Sequence, residues 1–212
     1  MSTTCTPAAR VTRSLLGYGV LAGGFYVVVG LAQALTRDGF SLDKHAWSLL
    51  ANGPFGWVQV ANFILAGLMT IAAAVGLRRA IGRSAAPWLI GGYGVSLIGA
   101  GIFRADPAQG FPAGTPQIGN VTLNGMLHFM IGGVGFLCLI AACLVLGRRF
   151  ARAGSPGLAW FSRATGIVFL AAFAGIASGS HGPTTLAFLA AVVLAWTWLA
   201  VVCTVHYRTE GA

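Results

Sequence analysis

The stretch LNGMLHFMIGGVGFLCLIAACLVL (123–146) decides the fold, because its twenty-four positions contain no Asp, Glu, Lys or Arg. About 20 consecutive apolar residues suffice for a helix to cross the hydrocarbon core of a bilayer. Inside lipid the backbone must satisfy its own polar groups, so this segment is predicted to be a transmembrane helix. Working outward, five more stretches qualify, at about 14–35, 57–77, 87–103, 160–179 and 185–205. The fold class expected is therefore all-α integral membrane, a six-transmembrane-helix bundle. Its single membrane domain covers 14–205, with short tails at 1–13 and 206–212. Composition agrees: 57% of the 212 residues are hydrophobic and 8% charged, against about a quarter charged in soluble domains.

The net charge of +9 is distributed as an orientation signal. Arginines cluster at Arg10 and Arg13, at Arg78, Arg79 and Arg83, and at Arg148, Arg149 and Arg152, with Arg163 at the start of the fifth span. In the alternate loops Arg37 and Lys44 are matched by Asp38 and Asp43, and Arg104 by Asp106. The positive-inside rule then places both termini in the cytoplasm and the first, third and fifth loops outside, including the long third loop at about 104–122. Basic residues scattered between apolar runs do not form the face a nucleic acid requires, so the bilayer is the expected partner and nucleic acid is not. Trp47, Trp57, Trp88 and Trp160 fall near span ends, as interfacial anchors do. The N-terminus is too polar, and too quickly followed by a full span, to read as a cleaved signal peptide. Cys5, Cys138, Cys143 and Cys203 lack CxxC spacing, and no disulfide framework is expected.

Small residues recur at helical spacing: Gly92, Ser96 and Gly99, then Gly132 and Gly135, then Gly175 and Gly179. Such stripes allow close helix approach in lipid, within one bundle or across a homodimer. Two basic hairpins, GLRRAIGRSAAPW (76–88) and LGRRFARAGSPGLAW (146–160), share a pattern. Either an internal duplication or the common demands of membrane insertion accounts for it. Polar residues within spans, Gln33, Gln59, Asn62, Tyr93, Tyr18 and Tyr26, are expected to make interhelical hydrogen bonds.

The densest polar chemistry lies at 103–128, FRADPAQGFPAGTPQIGNVTLNGMLH. Pro107 stops the third helix near Asp106. Asn124 and His128, four apart, are expected on one face looking into the bundle. Arg104 offers a fork for an anionic group or a structural ion pair with Asp106. Together with His45 and His181, these residues define a candidate outward-facing pocket roofed by the third loop. Within it Asp106 and His128 are the candidate acid/base pair, and Arg104, Asn124, His45 and His181 the candidate binding residues. No motif implies a cofactor. A metal site from His45, Asp106, His128 and His181 is an alternative, without the paired spacing of known zinc motifs. No acidic residue lies at mid-membrane, which argues against an ion-coupled transporter.

GIFRADPAQGFP (101–112) followed by GMLH (125–128), within six spans, resembles the bacterial integral-membrane domain of unknown function 998 family. The resemblance runs from about Gly17 to Cys203 and implies Asp106, Pro107 and His128 as the matching positions. Arg104 falls where that family varies. It implies the fold and a bacterial cytoplasmic membrane location, and it carries no activity. The expectation is a multi-pass protein that binds or processes an amphipathic small molecule, a lipid or isoprenoid. The alternatives are a non-catalytic membrane scaffold or regulatory partner, and a metal-dependent hydrolase. The residues leave open whether the protein is an enzyme.

Overall fold

A computed structural model of the chain describes residues 6–179 and 182–210. Six helices are long and apolar enough to cross a membrane: α1 (Pro7–Thr36), α2 (Gly56–Ile81), α3 (Ala85–Ile102), α4 (Leu123–Arg152), α5 (Pro156–Ala177) and α6 (Pro183–Thr209). Each begins or ends where local chemistry dictates. Thr6 caps α1 through its hydroxyl, which accepts from the Ala9 N–H, and Pro7 supplies the fixed φ of a first helical position. The residues from Pro7 to Arg13, read above as tail, are thus helical and belong to α1. Gly82 and Gly154, at φ of 69° and 72°, turn the chain between α2 and α3 and between α4 and α5. Each is followed by a serine, Ser84 or Ser155, at the N-cap of the next helix. The two basic hairpins thus share a positive-φ glycine and a serine N-cap, though Gly82 is itself the C-cap of α2 whereas Gly154 follows the C-cap Ala153 of α4.

Every helix packs on its neighbours in sequence, and α6 closes against α1, so the six form a ring in chain order. Glycine sets the closest approaches. On α2 and α3, a Cβ added to Gly67 would lie 2.7 Å from the Gly94 carbonyl oxygen, and one added to Gly94 would lie 2.9 Å from that of Gly67. Part of the small-residue stripes is used in the same way: Gly135 receives the Ser96 side chain, and Gly99 packs on Ile131. Close packing of this kind is the main adhesive where lipid removes the hydrophobic drive between helices.

The structure differs from expectation at two positions, Trp47 and Tyr18. Trp47 is buried, because a short 3-10 helix, Trp47–Ala51, turns its ring down onto Gly30 and Tyr26 instead of out to the interface. Trp57, Trp88 and Trp160 are exposed. Tyr18 faces outward while Tyr26 is buried, since eight residues at about 100° each overshoot two turns by some 80°.

Candidate functional site

The long-loop end of the ring is latched by two loops, 37–55 and 103–122, that fold onto each other. Arg37, at the end of α1, donates to the carbonyls of Leu50 and Asn52, both at 2.5 Å. Its guanidinium lies 4.8 Å from the centroid of the Phe111 ring. Partial burial pulls the Arg37 pKa below its ordinary value. Asn52 donates to the Ala105 carbonyl at 3.0 Å. His45 completes the latch: Nδ1 accepts from the Ser41 N–H at 2.9 Å and Nε2–H donates to the Gln109 carbonyl at 3.0 Å. One neutral tautomer satisfies both contacts. Phe111, buried between Phe40 and His45, is the apolar plug.

Asp106 and His128 act on either side of the α3–α4 junction. The Asp106 carboxylate accepts from the Thr122 N–H at 2.8 Å and the Thr122 hydroxyl at 2.6 Å. Thr122 in turn accepts from the Gly125 N–H, so the carboxylate sits at the positive end of the α4 dipole. Gly125 is required there, because an added Cβ would lie 2.0 Å from Asp106 Oδ2. His128 donates from Nδ1 to the carbonyls of Phe103 at 2.8 Å and Ala100 at 3.2 Å, closing the last turn of α3. With the proton on Nδ1, Nε2 is left as an acceptor, and it has no hydrogen-bond partner among the described residues. Asp106 and His128 make no hydrogen bond to each other.

If Asp106 anchors the junction, Asp106→Ala should lower stability by about 2 kcal/mol, the worth of losing charge-assisted bonds at a partly exposed site. Asp106→Asn should cost roughly half as much. Reversible unfolding of the purified protein in micelles measures both.

The other candidates are placed differently. Arg104 is exposed and makes no hydrogen bond or ion pair with Asp106 or any other described residue. Asn124 is exposed, correcting the inward face assigned to it. In the first turn of α4 the packed face is that of Gly125 and His128, three residues apart, and Asn124 lies off that face. His181 lies outside the described residues, as does Cys5. Among the described residues no three of His, Cys, Asp or Glu are grouped to hold a metal ion. His45 in particular has both ring nitrogens committed to backbone.

Inside the ring is a chamber of about 490 Å³ to which every helix contributes, with Tyr26, Phe63, Leu97, His128, Phe173 and Phe188 one from each. Its lining reaches no deeper than Tyr93 in α3 and Val192 in α6, so it occupies the half nearer the long loops. Tyr26 and Tyr93 pack on Trp196 below it, at 5.2 and 5.8 Å between ring centroids. Its loop end is lined by His45, Ala46, Trp47 and Ser48, at the start of the 3-10 helix, and by no residue of the third loop. Two polar atoms of its lining residues, Trp47 Nε1 and Thr185 Oγ1, are buried and have no hydrogen-bond partner among the described residues. A second cavity of about 320 Å³ lies under the third loop, where Asp106 and Lys44 line it. The two cavities share Ala46, Ser48, Phe129, Ile176 and Thr185 as a common wall.

Sequence reasoning missed Arg37, Phe111, Trp47, Thr185 and Lys44. Arg37 and Lys44 were visible as loop cations, but the neighbouring aspartates concealed that neither forms an ion pair among the described residues.

A ring of six apolar spanning helices, latched at one end and hollow within, defines a multi-pass membrane protein with an internal chamber. The family model described as a protein of unknown function (DUF998) matches residues 20–205, and the chain belongs to that family. No curated protein and no solved structure matches it.

Proposed function

We propose that this protein is a membrane receptor or carrier for an amphipathic small molecule whose apolar part occupies the chamber. The observation that carries this reading is the chamber itself: about 490 Å³, walled by all six helices and mostly by aromatic and aliphatic side chains. Ligand sites in proteins fall in that size range, with an apolar lining and a few polar groups that fix orientation. Here His128 Nε2, Trp47 Nε1 and Thr185 Oγ1 are such groups, one acceptor, one donor and one hydroxyl that can do either. A lipid or isoprenoid chain fits the lining. The positive-inside pattern supports an orientation with both termini inside and the chamber in the outer half of the membrane, and the family resemblance supports a bacterial cytoplasmic membrane.

Gly132 provides the test. It lines the chamber, and an added Cβ there would meet nothing within 4 Å. Gly132→Leu should fill the space while keeping or slightly raising stability, since glycine within a helix costs about 0.5–1 kcal/mol relative to alanine. Native mass spectrometry of wild type drawn directly from membranes should show a bound amphiphile that Gly132→Leu lacks. The same adduct at the same occupancy in both proteins would refute the reading.

A further inference from the structure

We infer that the outer cavity is a headgroup subsite for an anionic amphiphile, with Lys44 as its counter-charge, continuous with the apolar chamber. This rests on the chamber reading and adds the charge class of the ligand. Three observations carry it. First, the cavities of about 320 and 490 Å³ share a wall, so one elongated molecule can place a polar head in the former and a chain in the latter. Second, Thr185 lies in that shared wall, only 2% exposed, with Oγ1 unpartnered. A hydroxyl so buried lacks the hydration it would have in water, and a partner would offset that loss.

The third observation is the charge balance of the outer cavity. Lys44 lines it, and its ammonium has no hydrogen bond or ion pair among the described residues. The carboxylate next to it in sequence, Asp43, is exposed and held by the Ser41 hydroxyl, the main cause that keeps its pKa low, to which the neighbouring Lys44 charge adds. Asp106 also lines the cavity, but both its oxygens accept from Thr122 at the N-terminus of α4, where the helix dipole compensates its charge. Lys44, itself exposed, is thus the cation that lines the cavity without a direct ion pair among the described residues. A phosphate or carboxylate head matches it, whether carried on a lipid or offered as a free anion. Phe129, 69% exposed and yet part of the shared wall, puts the junction of the two cavities beside the lipid-facing surface of α4. An amphiphile can reach both from the bilayer.

The experiment uses the full chain in neutral maltoside micelles with three probes: dodecyl phosphate, dodecanol and inorganic phosphate. Binding is read as the concentration giving half the change in tryptophan fluorescence, since Trp47 lies in the chamber wall. Dodecyl phosphate should bind about fivefold more tightly than dodecanol, the gain one lysine gives toward an acidic headgroup at a membrane surface. Lys44→Gln should bring the two alkyl probes together without moving dodecanol, and Gly132→Leu should weaken both. Equal binding of the two by wild type, or a preference that survives Lys44→Gln, would overturn the headgroup subsite and leave the chamber standing. Inorganic phosphate binding as tightly as dodecyl phosphate would also overturn it, by assigning the site to a free anion. If neither alkyl probe binds, the chamber reading falls and this inference falls with it.

Discussion

Replacing Arg37 by leucine should lower the stability of the folded protein by about 3 kcal/mol, the largest effect expected of any single side chain at the loop end. The reason is convergence. One guanidinium holds the carbonyls of Leu50 and Asn52, both at 2.5 Å, and covers the Phe111 ring. Gly53 is built around it: a Cβ there would lie 2.8 Å from an Arg37 nitrogen, and its φ of 75° suits glycine alone. Loss of the arginine leaves two carbonyls without their donor and removes one of the ties between the third loop and the first. Arg37→Lys keeps the charge but not the planar fork, and should recover less than half of the loss. Unfolding midpoints in micelles measure both variants. Limited proteolysis within 103–122 should accelerate in the leucine variant, because the third loop is tied to the first through Phe111, Asn52 and His45.

The second large effect is expected inside the ring. Gly135→Ala would set a methyl 1.7 Å from Ser96 Oγ and 2.4 Å from Ser96 Cβ, at the α3–α4 contact. Neither atom can retreat, because the Ser96 hydroxyl donates to the Tyr93 carbonyl at 2.7 Å and its Cβ is fixed to the α3 backbone. Overpacking of this kind costs about 3 kcal/mol when the backbone must separate. Ser96→Gly in the same chain removes both clashing atoms and should restore most of the stability. A double variant no more stable than Gly135→Ala would show that the α3–α4 contact is not what the methyl disturbs. Gly132, three residues earlier, faces open space, so the two glycines should respond in opposite directions to the same substitution.

That contrast shows how much could be read before the structure. The six spans were legible because each is a long apolar run, and Gly132 and Gly135 were recognisable as a packing stripe. Which of them packs and which opens on a chamber depends on what α3 and α5 place opposite, and spacing along α4 does not encode that. Asp106 and His128 were found for the same kind of reason, as polar residues beside a proline and at a span end. Their partners, Thr122 and the carbonyls of Phe103 and Ala100, are fixed by how the third loop returns to α4. The Arg37–Phe111 contact joins two loops whose sequences carry no mutual signal. The 3-10 helix was missed because WSLLA is too short to show a period, and with it the loop-end lining of the chamber.

The central claim is that the ring holds an amphiphile inside it. Photolysis of the purified protein with a diazirine-bearing fatty acid tests it most directly, with the labelled residues mapped by mass spectrometry. The account predicts labelling of chamber-lining residues such as Gly132, Phe136 and Phe188, lost in Gly132→Leu. Labelling confined to the lipid-facing Val134, Leu137 and Val193, and unchanged by that substitution, would contradict it.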